Sequence, residues 1–165
     1  MSKGFTLIEM LVVSLVIGIL AAIALPQYEV AVGVSKVSNV MSFAKVISDA
    51  QQRHRLATGE FAISYDALDV NMPPGGTLSA DGKTMTYKNF YCYLRDAGDG
   101  SSVYCNVLSP VGINMEKYYR GSGGLFICWP KTNDYTDLTN KICQNVSGRQ
   151  EPTASTSSGF KGYIF

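Results

Sequence analysis

From Phe5 to Leu25 the chain is apolar almost throughout, with Glu9 its only charge. A bilayer core is about 30 Å thick and a helix rises about 1.5 Å per residue, so about 20 apolar residues span it. These 21 residues are long enough. After Leu25 the pattern changes. Val30, Val34, Val37, Met41, Ala44 and Ile47 recur at steps of three and four, and Val40 and Phe43 widen the stripe. Glu29, Lys36, Lys45, Asp49 and Arg53 fall largely off it. That pattern predicts an amphipathic helix running to about Leu56, with Gly59 as its stop. Pro26 is expected to interrupt the rod, and Gly18 and Gly33 to loosen it. From Phe5 to Leu56 the rod would be about 78 Å long.

Beyond Gly59 the punctuation becomes dense. A short helical piece is expected at Ser64–Leu68, and Pro73-Pro74-Gly75-Gly76 breaks the chain. Strands are predicted at Gly76–Ala80 and Lys83–Tyr87 around Asp81-Gly82, then at Asn89–Arg95 and Ser102–Leu108 around Gly98-Asp99. Ile113–Arg120 reads as a short helix or turn, and Leu125–Trp129 as an apolar strand. Asp134–Val146 reads as a helix with Asp134 or Thr136 as N-cap and Gly148 beyond its end. Gln150–Gly159 reads as an exposed loop and Phe160–Phe165 as a final strand. The fold class is therefore α+β: a long N-terminal α-helix packed on an antiparallel sheet.

Length bounds this to about one domain. Fourteen basic and 13 acidic side chains give a net charge of +1, so no strong field points to nucleic acid. Sixteen Gly and ten Tyr fit a turn-rich β portion with aromatic packing. The four cysteines, Cys92, Cys105, Cys128 and Cys143, all lie beyond the apolar segment. Zinc would prefer closer pairs, whereas 12, 22 and 14 residues separate these cysteines, and the chain has one His. Two disulfides in an oxidising compartment are expected. Cys92 and Cys105 are symmetric about the predicted hairpin turn, and Cys128 and Cys143 close a loop between strand and helix. The pairs Cys92–Cys105 and Cys128–Cys143 follow, each worth about 3 kcal/mol in the chain-entropy account.

A cleaved signal peptide would have a shorter apolar core and a clear A-x-A-like site; Ala21-Ala22-Ile23-Ala24 is the nearest candidate. Neither that nor a plain signal anchor explains Glu9. An unpaired charge at membrane depth costs about 2.5–3.5 kcal/mol on the mildest scale, so its partner has to be found.

Taken together, Lys3-Gly4-Phe5-Thr6-Leu7-Ile8-Glu9 resembles the class III signal of type IV pilins and type II secretion pseudopilins. The resemblance is confined to Lys3–Gln27, with only the layout matching beyond. It implies a leader, residues 1–4, cut after Gly4 by a prepilin peptidase, and N-methylation of the new terminus at Phe5. It implies a transmembrane and filament-core helix over 5–28 and a globular head over 29–165. It also implies that Glu9 meets the Phe5 amine of a neighbouring copy, and that the helix melts locally between Gly18 and Pro26 during packing. The expected product is a homopolymeric type IV pilus subunit. It would sit in the inner membrane with a periplasmic head, pass through an inner-membrane assembly machinery, and reach the cell surface. A pseudopilin is the alternative; a membrane-anchored binding domain fits less well.

No catalytic set emerges. His54 has no orienting acid or nucleophile placed by sequence. Asp81, Asp96 and Asp99 lie in Gly-rich turns that their turn chemistry explains, without a hand-type calcium loop. Neither a cofactor nor a metal is expected, and no nucleic-acid site. Asn145-Val146-Ser147 matches a glycosylation sequon, a short pattern that recurs by chance.

Overall fold

The computed structural model describes residues 5–96, 101–108, 112–119, 124–156 and 159–165. One helix, α1 (Leu7–Thr58), runs unbroken for 52 residues. It ends at Gly59, whose φ of 88° lets its N–H reach the Arg55 carbonyl at 2.8 Å. A side chain there would be strained in the left-handed conformation that caps the helix.

Pro26 does not interrupt α1, contrary to the sequence expectation. A proline inside a helix leaves the carbonyl four residues earlier, Ala22, without its N–H donor. Strong helix formers on both sides, Ala22, Ala24 and Leu25 before it and Gln27, Glu29 and Ala31 after it, carry the rod across that single lost bond.

Three residues Tyr65–Ala67 form a 3₁₀ turn. The strands are β1 (Thr77–Leu78), β2 (Thr84–Thr86), β3 (Phe90–Arg95), β4 (Ser102–Val107), β5 (Ile113–Tyr118), β6 (Phe126–Trp129), β7 (Ala154–Ser155) and β8 (Lys161–Ile164). Helix α2 (Leu138–Ser147) lies between β6 and β7. The sheet order is β1-β2-β3-β4-β5-β6-β8-β7, and every pair is antiparallel. It is a meander until the α2 excursion, which returns the C-terminus beside β6.

Alternation decides which face is core. Cys92 and Leu94 on β3, Val103, Cys105 and Val107 on β4, and Ile113 and Met115 on β5 point to one side and are buried. Against them lies the stripe of α1: Val37, Val40, Ala44, Ile47 and Ala50. The alanines have no bulk to hold helix and sheet apart. Ile142, Cys143 and Tyr163 close the core from α2 and β8. Below, Phe43 meets Phe90 and Tyr87 edge-on, with centroids 5.5 and 5.6 Å apart.

The structure contains two disulfides. Cys92 and Cys105 are register partners across β3 and β4. Cys128–Cys143 ties α2 to β6. Both lie under α1 with no exposed surface.

Three local expectations change. Ile113–Arg120 holds a strand, because Ile113 and Met115 alternate with Asn114 and Glu116 and pair along the whole of β4. Asp137 is the N-cap of α2, its carboxylate accepting from the Thr139 N–H at 2.9 Å; Asp134 instead caps a preceding turn through Thr136. Within the predicted loop Gln150–Gly159, Ala154 and Ser155 form β7. The Gly98-Asp99 turn lies outside the described residues.

One buried polar residue holds the end of α1. Gln51 has no exposed surface; its Nε2 donates to the Ala62 carbonyl at 2.9 Å, and its Oε1 accepts from the Ala62 N–H at 2.8 Å. It acts as a backbone substitute that fastens the connecting loop to the helix. Gln51→Ala strands both Ala62 groups, and urea denaturation is expected to give a loss of about 2–3 kcal/mol. A loss under about 0.5 kcal/mol, the size of an ordinary surface change, would contradict that role.

Candidate functional site

The first half of α1 has no partner within the subunit. Every large apolar side chain from Phe5 to Leu25 is between 49% and 80% exposed. Partial burial begins only at Val30. Folded monomers rarely leave contiguous apolar patches beyond a few hundred Å². Covering each large side chain is worth about 1.5–3 kcal/mol, so the segment as a whole holds tens of kcal/mol in reserve. This is the one described helix long and apolar enough to cross a membrane.

Its polar groups are managed locally. The Ser14 hydroxyl donates to the Met10 carbonyl at 2.8 Å, which removes a free O–H from the apolar surface. At the N-terminus, Thr6 is the N-cap and Glu9 stands at N3, a capping box. The Glu9 N–H donates to Thr6 Oγ1 at 3.3 Å. In return Glu9 Oε2 accepts from the Thr6 N–H at 2.8 Å and from the Thr6 hydroxyl at 2.7 Å. Both return bonds converge on Oε2, so Oε1 takes no part in the box. The carboxylate is thus held through one oxygen, and Oε1 takes none of the hydrogen bonds described. The T-x-x-E spacing of Thr6 and Glu9 is the sequence signal for this cap, and the apolar reading of the segment passes over it.

The other predicted positions are placed as follows. Phe5 is 75% exposed at the start of the described chain, and Gly4 lies outside it. Gly18 faces open space, with nothing within 4 Å of a built Cβ. Pro26 sits on the same continuous helix. Among the hydrogen bonds described, Glu9 meets only Thr6. His54 lies near the far end of α1. Among the described residues no three His, Cys, Asp or Glu side chains gather to hold a metal.

A polar site that sequence reading missed lies on the outer face of the sheet. Glu116, 2% exposed, accepts from Arg95 Nη1 at 2.9 Å, from the Ser102 hydroxyl at 2.7 Å and from Trp129 Nε1 at 3.2 Å. Its alternation with Met115 is the signal, hidden when 113–120 is read as a turn.

Geometry alone defines a class: an α+β subunit whose packed head continues into a bare apolar helix, with one aimed carboxylate near the helix start. The prokaryotic N-terminal methylation motif matches residues 1–25. The type IV major fimbrial protein FimA of Dichelobacter nodosus is 60% identical over 42 residues, covering 26% of this chain and 27% of that protein. The type IV major pilin protein PilE1 of Neisseria gonorrhoeae is 35% identical over 116 residues, 70% of this chain and 58% of that one. Fimbrial protein Q of Moraxella bovis is 30% identical over 128 residues, 74% of this chain and 66% of that one. The matched stretch spans about a quarter of the length of the first of these curated relatives. No solved structure gives a significant match. These similarities support a type IV pilin family for the chain.

Thr6→Val deletes the capping hydroxyl while keeping its volume. A lost cap costs about 0.5–2 kcal/mol, so amide exchange at Glu9 in detergent micelles is expected to speed up by about 2–30-fold. Unchanged exchange at Glu9 would show that the box does not hold the first turn.

Proposed function

We propose that this protein is a structural subunit of a type IV pilus. The observation that carries the reading is the apolar half of α1, uncovered in the subunit yet continuous with a packed head. Its relatives are named as type IV major pilins and fimbrial proteins, which are structural subunits rather than enzymes.

In this reading the chain divides by use: leader 1–4, membrane and filament-core helix 5–28, and head 29–165. The precursor waits in the inner membrane with Lys3 on the cytoplasmic side and the head in the periplasm, where the two disulfides form. A prepilin peptidase cuts between Gly4 and Phe5 and methylates the Phe5 nitrogen. An inner-membrane machinery then transfers the subunit to a growing homopolymer. Transfer exchanges lipid for like helices around the same apolar surface, so the hydrophobic driving force changes little. Direction and register must therefore come from polar contacts. The Phe5 amine of one copy meeting Glu9 of the next supplies one such contact, because either charge left alone in an apolar core is costly. Gly18 and Pro26 mark the stretch of α1 where backbone bonds are most easily given up during packing. The assembled fibre lies at the cell surface.

Intact mass and N-terminal sequencing of sheared surface fibres test the reading. The expected chain starts at N-methylated Phe5 and lacks the hydrogens of two disulfides. Uncut Met1 in those fibres would sink it. A mature chain confined to the envelope and never found in sheared fibres would instead favour a type II secretion pseudopilin. Glu9→Ala is expected to be processed normally and to lower fibre yield by at least about tenfold, the equivalent of about 1.4 kcal/mol of lost pairing. Fibres at normal yield from that variant would exclude Glu9 as a registry contact.

A further inference from the structure

The outer face of the sheet, opposite α1, carries a groove of about 560 Å³. That size falls in the range of small-ligand sites. Its lining includes Tyr104, Asn114, Glu116, Trp129, Lys131 and Phe160. Trp129 in this lining is fixed from two directions. The indole N–H is held by Glu116 Oε2 at 3.2 Å. Its benzo ring lies against the backbone of Gly162, where a built Cβ would come within 2.6 Å of an indole carbon. Only glycine lets the ring lie that close. Glu116 itself is locked by Arg95 and Ser102, so the platform is preorganised rather than assembled on demand.

A rigid half-buried aromatic ring bordered by amides, phenols and charges suits a ligand with apolar C–H faces and polar rims, which is the surface of a pyranose. The Tyr104 hydroxyl has its pKa pushed up to about 12, chiefly by burial, and so stays a neutral donor at ordinary pH. The charges select further. Glu116 compensates Arg95, while Lys131 makes no ion pair among the described residues. The groove therefore keeps one positive charge in excess. We propose that it binds an anionic saccharide, with one sugar ring stacked on Trp129 and its acid group toward Lys131.

Trp129 is the chain's single tryptophan, so intrinsic fluorescence reports on this groove alone. The test titrates the full chain in phosphocholine micelles with 3′-sialyllactose and, separately, with neutral lactose. A saturable change in Trp129 emission is expected with sialyllactose at about millimolar concentration. Lactose is expected to bind about fivefold more weakly, the scale of one exposed charge pair. Lys131→Ala should erase that difference and leave lactose binding in place. Gly162→Ala, which pushes a methyl into the indole, should weaken both sugars. No saturable response to sialyllactose up to about 20 mM, equal affinity for the two sugars, or a preference that survives Lys131→Ala would each overturn the proposal.

Discussion

The structure depends on one conflict within a single helix. The same rod is half core and half bare surface. Val37, Val40, Ala44 and Ile47 are sealed against the sheet, and the disulfides Cys92–Cys105 and Cys128–Cys143 secure the strands and α2 beneath them. Phe5 to Leu25 has no such cover. Because α1 is continuous, the head cannot fold back to hide that surface. Only lipid or other chains can cover it. The subunit is therefore a stable head attached to an unmet hydrophobic demand, and that combination makes it a building block.

The demand is non-directional, which is why the few polar groups on the bare half matter. Apolar helices in an apolar medium slide and rotate at little cost. Ser14 bonds back to its own backbone and so exerts no preference on its neighbours. Glu9 differs: its capping box holds the carboxylate in place through one oxygen, and the other takes none of the hydrogen bonds described. In the proposed fibre a charge so placed would distinguish one helix register from all others, since most registers would leave it unpaired. The head contributes differently. On its outer sheet face Glu116 is locked beneath Trp129, on the side of the sheet away from α1.

Much of this was legible from residue order. The switch at Leu25 from uniform to periodic apolarity marks where α1 changes from bare to buried, because a helix in lipid needs apolar residues all round and a helix on a sheet needs one stripe. Gly59 marked the end of α1, and the alternating runs around Asp81-Gly82 marked a hairpin. What escaped has physical causes. Pro26 looked like a break because local propensity counts the lost bond and not the stiffness of the flanking turns. Ile113–Tyr118 looked ambiguous because its inward residues, Ile113 and Met115, are few, and its outward residue Glu116 is buried by partners from Arg95, Ser102 and Trp129 that no local window contains. Gln51 and the Thr6–Glu9 cap were overlooked for the opposite reason. Each is a polar residue beside an apolar pattern, and its role appears only when its backbone partner is known.

The central claim is that bare helices and a shared charge pair build the fibre. The most direct measurement is a reconstruction of the sheared filament at side-chain resolution by electron cryomicroscopy. The account predicts that residues 5–25 of neighbouring copies bundle in the core, with each Glu9 carboxylate within about 4 Å of a neighbour's Phe5 nitrogen. A fibre held by its heads with these helices on the outside would contradict it. So would a core in which Glu9 still meets only its own Thr6.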